Sequence, residues 1–150
     1  LRGFKAGPYE GGSRVPAIFS FPKEVKGGSV NNQTVLSMDL LPTLLDFIGR
    51  KPSSAVDGIS IKENLLGQEK LPERDVFFAY GIKSFIRSGD WKLVVVENKE
   101  EKKIELFNLS EDLEERNDLK LKEPDISARL LKKLEIWTLE VREGVDLVSR

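Results

Sequence analysis

The pattern of hydrophobic and polar residues changes near residue 71. Before that point, a nearly continuous apolar run at residues 16–21 is typical of a strand that is buried on both faces. Residues 37–49 carry leucines at helical spacing and end on a glycine, which predicts an α-helix. A shorter helix is predicted at residues 62–66, where another glycine follows.

The pattern after residue 71 predicts a small sheet and a long helix. Four short runs, rich in β-branched and aromatic residues, predict strands at 75–80, 84–87, 91–96 and 104–109. Their connections are too short for parallel crossovers, so we expect mostly antiparallel pairing. An apolar stripe at residues 124–143 predicts a helix that lies across the sheet. The expected fold class is α/β, and α+β for this chain taken alone.

Composition narrows the chemistry that the chain can perform. The net charge of the 150 residues is −1, so no overall field attracts nucleic acid, and no apolar run approaches the length of a membrane span. Cysteine and histidine are both absent, which removes disulfides, thiolate metal sites and the commonest general base. Any chemistry must therefore use Lys, Arg, Asp, Glu, Tyr or Ser, or borrow groups from outside the chain.

The candidate site is a glycine-rich segment that follows Lys5. Gly11 and Gly12 let the backbone turn and approach a ligand closely, and a nearby ammonium and guanidinium make the segment a plausible anion site. Alternatively, Lys5 is a solvated surface lysine. The segment is crowded against a chain start that has neither an initiator Met nor a signal peptide. We therefore expect this chain to be the C-terminal piece of a larger protein.

Three neighbours of Lys5 have structural or binding interpretations. Arg14 would hold the segment by pairing with a carboxylate, with Glu10 as the candidate, and so set the position of Lys5. Tyr9 would either line a substrate pocket or pack on the loop. The predicted loop-structuring residues are therefore Glu10 and Arg14 with the two glycines.

Other charged and aromatic residues favour structural roles. Asp39 is predicted to cap its helix rather than to act in catalysis with Asp46, and Asp57 to open a turn. In the third predicted strand we expect Trp91 to lie in the sheet core and Lys92 on a solvated face. The functional alternative is that loops of this sheet contribute to the rim of a substrate pocket.

Three ordered stretches, which cover nearly the whole chain, carry a family resemblance. They are Arg2-Gly3-Phe4-Lys5 with Tyr9-Glu10-Gly11-Gly12-Ser13-Arg14-Val15-Pro16; Met38-Asp39-Leu40-Leu41-Pro42-Thr43-Leu44-Leu45-Asp46 with Asp57-Gly58-Ile59-Ser60; and Arg87-Ser88-Gly89-Asp90-Trp91-Lys92-Leu93 with Glu105-Leu106-Phe107-Asn108-Leu109 and Glu114-Glu115-Arg116-Asn117-Asp118-Leu119. Together they resemble the C-terminal third of an arylsulfatase-like sulfatase of the alkaline phosphatase superfamily.

The resemblance implies that the parent protein is a sulfuric ester hydrolase and that this chain supplies only part of its active site. Such enzymes use a formylglycine nucleophile and a divalent cation, usually calcium, and the groups that supply both precede the part of the protein seen here. Lys5 maps onto the family's sulfate-contacting lysine, and no metal ligand maps onto this chain. The following position, usually small or glycine, is Ala6. Implied partners are the N-terminal part of the same protein and a sulfated small molecule or carbohydrate, and many such enzymes are exported to the periplasm or outside the cell.

The resemblance also divides the chain. Residues 1–70 would finish the alkaline-phosphatase-like catalytic domain, and residues 71–150 would form a C-terminal subdomain. We expect the chain alone to be inactive, and the apolar surface of residues 16–49 to be exposed and to drive self-association. The alternatives are a phosphodiesterase or phosphonate hydrolase of the same superfamily, and a non-catalytic scaffold or carbohydrate-binding module.

Overall fold

The sheet and the long helix of the second half lie close to their predicted positions. A computed structural model describes residues 1–142, and residue 143, the predicted end of the last helix, lies outside the described residues. The elements in chain order are α1 (Glu10–Ser13), a 3-10 turn (Ser37–Asp39), α2 (Leu40–Phe47), α3 (Lys62–Leu65), β1 (Asp75–Tyr80), β2 (Lys83–Ser88), β3 (Trp91–Glu97), β4 (Lys102–Asn108) and α4 (Pro124–Arg142).

The four strands form one antiparallel sheet in the order β1-β2-β3-β4, which confirms the predicted fold class. Each strand pairs with the next one along the chain because the connections are tight. The turn between β2 and β3 depends on Gly89, whose φ of 59° lies in the left-handed region that glycine adopts without strain. In this register Lys92 lies between Arg87 on β2 and Phe107 on β4.

One face of the sheet packs against α4 and forms the hydrophobic core. The core consists of buried aliphatic side chains from three strands and the helix: Ile86, Leu93, Val95, Leu106, Leu130 and Leu134. Phe77 stacks on Trp137 at a centroid distance of 5.0 Å, and Trp91 packs against the same cluster, as predicted. The alternation of β3 thus places its odd-numbered side chains under the helix.

The opposite face of the sheet is also covered, although α4 does not reach it. Its side chains include Phe85, Val94 and Phe107, which are all buried. The cover is the beginning of the chain, where Tyr9 contacts the Phe107 ring edge-on and Glu10 contacts β3. Both faces of this sheet are therefore enclosed.

By packing, the chain forms two compact units. One consists of Leu1–Pro16 with Glu73–Arg150, and the other of Ala17–Pro72. The first sixteen residues thus pack with the sheet. The boundary near residue 72 lies close to the change in the hydrophobic and polar pattern near residue 71. The assignment of residues 1–70 to a catalytic domain and of 71–150 to a subdomain stays a prediction.

The strand predicted at residues 16–21 is wrong, because these residues have no regular secondary structure. A buried strand requires neighbouring strands on its hydrogen-bonding edges, and none of the described strands pairs with this segment. Most of its apolar side chains are exposed, with Ile18 at 93%, whereas Phe19 is partly buried.

Helix α2 follows the leucine pattern, but Asp39 does not cap it with its side chain. The carboxylate is buried and accepts hydrogen bonds from the N–H groups of Leu36 (2.8 Å) and Ile59 (3.0 Å). Thr43 adds a second link, since its hydroxyl accepts from the Ile61 N–H at 3.0 Å. Asp39 and Thr43 together therefore tie residues 59–61 to the helix.

Helix α2 and the residue that follows it expose several large apolar side chains. Leu40, Leu41, Leu44 and Ile48 are all more than two-fifths exposed. Self-association through this surface stays a prediction. Among the described helices, none has the length and apolar character that a membrane span requires.

Candidate functional site

Lys5 lies in an exposed turn at the tip of a short loop. The Gly7 N–H donates to the Phe4 carbonyl oxygen at 2.9 Å and closes this turn. Ala6 has a φ of 64°, in the left-handed region that costs a residue with a Cβ about 1 kcal/mol. A glycine at this position would avoid that strain, which Ala6 retains.

Residues Glu10–Ser13 form a short helix, whereas the sequence predicted a loop. The N–H groups of its two glycines are already used, since Gly11 donates to the Arg2 carbonyl (2.7 Å) and Gly12 to the Tyr9 carbonyl (2.8 Å). A Cβ at Gly12 would collide with the carbonyl oxygens of Phe4 and Gly7. The glycines therefore serve close packing of the segment on itself, and their N–H groups do not form an anion cradle.

Lys92 is completely buried, so the predicted solvated position is wrong. Its Nζ lies 2.7 Å from Oε1 of Glu10 and 3.0 Å from Oε1 of Glu115. The ammonium also lies 4.5 Å from the centroid of the Phe85 ring. The prediction failed because it took the second face of the sheet to be open to water. We call Glu10, Lys92 and Glu115 the buried ion cluster.

Glu115 connects the buried ion cluster to the backbone of the N-terminal segment. Its Oε2 accepts the Glu10 N–H at 2.7 Å, and its carbonyl oxygen accepts from Arg2 Nη1 at 3.0 Å. Burial raises the pKa of Glu115, although the Glu10 N–H and the Lys92 ammonium oppose this rise. Its φ of 55° is strained for a residue with a Cβ, and the surrounding contacts hold it there.

A second, more exposed group of side chains lies beside the buried ion cluster. Arg2 pairs with Glu105 at 3.1 Å and lies 3.8 Å above the centroid of the Tyr9 ring. The Tyr9 hydroxyl donates to Oε2 of Glu105 at 2.5 Å. Burial opposes ionisation of Glu105, but hydrogen bonds from Tyr9 and Lys103 and the Arg2 charge outweigh it and lower its pKa. In these contacts Tyr9 packs against Arg2 and Glu105. A substrate contact of Tyr9 stays a prediction.

We predict that Tyr9 titrates well above an ordinary tyrosine. Burial, the hydrogen bond to Glu105 and the Glu105 charge raise the pKa of Tyr9 from 10.0 to about 12. Because the folded-state pKa is the higher one, this group contributes stability below pH 10 that is lost as the pH rises toward 12. The chain has two tyrosines, so the Tyr80→Phe variant isolates the signal of Tyr9 in an absorbance titration at alkaline pH. A midpoint near 10 in the folded chain would contradict this arrangement.

Arg14 plays a smaller part than the sequence predicted. Its Nη1 lies 3.5 Å from Oε2 of Glu10 in a single contact, and the guanidinium is partly exposed. The shorter ion-pair contact of the Glu10 carboxylate is with Lys92, at 2.7 Å. Glu10, the carboxylate predicted to pair with Arg14, thus has its main partner on β3, 82 residues away.

Sequence reasoning missed two of the three members of the buried ion cluster. Lys92 shares a face of β3 with buried Val94, and its cross-strand neighbour Phe107 is apolar. A lysine on an otherwise apolar strand face is a usable signal of a buried ion pair. Glu115 offers no such signal, because it stands in a run of charged residues that is typical of a solvated loop.

The part of the chain that the structure describes does not fit a divalent cation. Residues 1–142 contain no group of three or more acidic side chains placed to hold a metal ion. Glu10 pairs with Lys92, and Glu105 accepts from Arg2 and Tyr9.

Comparisons with known proteins agree on one family. The model of the N-sulphoglucosamine sulphohydrolase C-terminal family matches residues 5–140. A sulfatase of Formosa agariphila is 30% identical over 93% of this chain, which covers 30% of that protein. The crystal structure of Ps i-CgsB superposes with a TM-score of 0.79 at 25% identity, covering 91% of this chain and 31% of that one.

A further solved structure is a protein in complex with its substrate D-glucosamine-2-N,6-O-disulfate. It superposes with a TM-score of 0.66 at 25% identity, over 83% of this chain and 28% of that one. The chain thus spans about a third of the length of the proteins it matches. It belongs to the C-terminal domain family of the N-sulphoglucosamine sulphohydrolases, which are sulfatases.

Proposed function

We propose that this chain is the C-terminal region of an enzyme that hydrolyses a sulfate ester, and that Lys5 contacts the sulfate group. The observation that carries the proposal is the position of Lys5 within a sulfatase family match. The match begins at residue 5, and Lys5 is exposed at the tip of a loop whose base is packed on the sheet. An exposed ammonium on a fixed loop is accessible to an anion.

The role of Lys5 in this proposal is electrostatic. Negative charge redistributes over the sulfate oxygens as the ester bond breaks, and a nearby ammonium stabilises that charge best where water is excluded. A formylglycine nucleophile and a divalent cation, calcium in this proposal, would come from the N-terminal part of the protein. When bound, that cation would polarise a sulfate oxygen. The residues described here supply the lysine and the framework that holds it.

The substrate class in this proposal is a sulfated carbohydrate. The matching family is named for a sulfated glucosamine, and one structural neighbour was solved with a disulfated glucosamine as its substrate. The exposed ammonium of Lys5 suits such a negatively charged ligand better than an apolar one.

Replacing Lys5 with alanine in the complete enzyme tests the proposal. The loss of one preorganised charge partner is expected to lower kcat/KM for a sulfate ester about 10²–10³-fold. Lys23→Ala is the matched control, because that lysine is exposed on the loop of the other packing unit. A Lys5→Ala enzyme as active as the Lys23→Ala enzyme would overturn the sulfate contact.

The same assays separate the other functional hypotheses. The purified 150-residue chain is expected to show no turnover of an aryl sulfate, and measurable turnover would contradict its role as a partial active site. A complete enzyme that hydrolyses a phosphate diester but no sulfate ester would instead favour the phosphodiesterase alternative. Metal-independent binding of a sulfated sugar by the chain alone would favour a binding module.

A further inference from the structure

We infer that Lys92 and Glu115 are positioning residues for Lys5, and that the buried ion cluster keeps the loop of Lys5 in its working place. The inference rests on the proposed sulfate contact of Lys5. Neither residue is near Lys5 in sequence: Glu115 receives the Glu10 N–H across 105 residues, and Lys92 reaches Glu10 across 82. The segment that carries Lys5 is thus held by the sheet and by the loop that follows it.

Both ends of the Lys5 loop are attached to the same face of the sheet. At one end, Arg2 donates to the Glu115 carbonyl and to Glu105. At the other end, Glu10 contacts Lys92 through its side chain and Glu115 through its N–H. The Gly11 N–H joins the two ends by donating to the Arg2 carbonyl. With both ends fixed, the loop between them has little freedom to displace Lys5.

The chemistry of the cluster explains why charge is used here rather than an apolar contact. Buried ion pairs require good geometry, because each charge has lost its hydration and only correctly placed partners replace it. An apolar contact would permit the short helix to slide along the sheet at little cost, whereas the 2.7 Å contacts at Glu10 allow one register. The Lys92 ammonium, which lies beside the Phe85 ring, fixes the point on the sheet where Glu10 binds.

A loss of this register should affect catalysis through Lys5. A displacement of about 1 Å at a catalytic group can cost about 100-fold in rate even when the mutated residue is remote from the chemistry. The displacement should act mainly on kcat, since the ammonium stabilises charge that develops as the bond breaks. A residue that matters only for folding would lower the amount of active enzyme and leave the role of Lys5 unchanged.

A double-mutant cycle in the complete enzyme tests the inference. Glu115→Gln keeps an acceptor for the Glu10 N–H but removes the charge opposite Lys92. It is expected to lower kcat about tenfold or more when Lys5 is present, and by less than about twofold in the Lys5→Ala background. Glu114→Gln, at an exposed neighbouring carboxylate, is the control and should leave kcat unchanged in both backgrounds.

The outcomes of the cycle are distinct. If Glu115→Gln lowers kcat by the same factor with and without Lys5, its role is not positioning of Lys5 and the inference is overturned. If Lys5→Ala alone has no effect, the proposed sulfate contact fails and this inference fails with it. Should Glu115→Gln not fold, Glu10→Gln replaces it, because Lys92 then keeps one buried carboxylate, and the same two comparisons decide.

Discussion

Replacement of Lys92 with methionine is expected to destabilise the chain by about 3–5 kcal/mol, because it leaves two buried carboxylates without their ammonium. Methionine has nearly the volume of lysine, so the change removes charge and leaves packing largely intact. Lys92 is completely buried between Glu10 and Glu115, and water cannot take the place of the lost partner. Urea unfolding of the chain and of the variant at neutral pH measures the difference.

The pH dependence of this defect has a definite sign. Burial already raises the pKa of Glu115 with Lys92 present, and removal of the ammonium raises it further. A carboxyl group with a raised folded-state pKa favours folding as the pH falls toward that value, because the folded state takes up the proton first. The Lys92→Met defect should therefore be smaller at pH 5 than at pH 7.

Two further variants test whether the destabilisation by Lys92→Met comes from the buried ion cluster. Lys99→Met removes a charge at the exposed tip between β3 and β4, and should change the free energy of unfolding by less than about 0.5 kcal/mol. The triple variant Glu10→Gln, Lys92→Met, Glu115→Gln removes all three charges and should recover part of the lost stability. A single Lys92→Met variant as stable as Lys99→Met would show that the ion cluster does not hold the fold.

Replacement of Gly12 with alanine is expected to destabilise the chain by about 2–3 kcal/mol, because the added Cβ has no room. It would collide with the carbonyl oxygens of Phe4 and Gly7, which are backbone atoms and cannot rotate away. The turn that carries Lys5 would have to separate from the short helix. Thermal or urea unfolding measures the stability, and the complete enzyme should also lose activity.

Gly27→Ala is the matched control for this change. A Cβ at Gly27 meets open space, and its φ lies outside the left-handed region, so the free energy of unfolding should change by less than about 1 kcal/mol. Equal stability of the Gly12→Ala and Gly27→Ala variants would contradict the close packing of the N-terminal segment on itself.

The elements of the second half could be predicted because their signals are local. Alternation within β3 and the apolar stripe of α4 depend on side chains a few residues apart, and the short connections leave little choice of topology. Residues 16–21 carry an equally strong apolar pattern, yet they form no strand. A strand needs a pairing partner as well as a pattern, and none of the described strands pairs with this segment.

The site was harder to predict because its contacts join distant residues. Lys5 was found through its family motif, since nothing in its own chemistry separates it from other exposed lysines. Lys92 was assigned to a solvated face because the sequence does not say that residues 2–14 return to cover it. Glu115 is hidden in a charged run, and its burial follows from contacts with Arg2 and Glu10 more than 100 residues away.

Hydrogen exchange at the amides of Glu10 and Gly11 tests most directly whether the buried ion cluster holds the Lys5 segment on the sheet. The Glu10 N–H donates to Glu115 and the Gly11 N–H to the Arg2 carbonyl, so both should exchange slowly in the unmodified chain. In Lys92→Met both should exchange about 100-fold faster or more, while amides of β3 paired with β2 keep more of their protection. Fast exchange at Glu10 in the unmodified chain, or unchanged protection in the variant, would contradict the account.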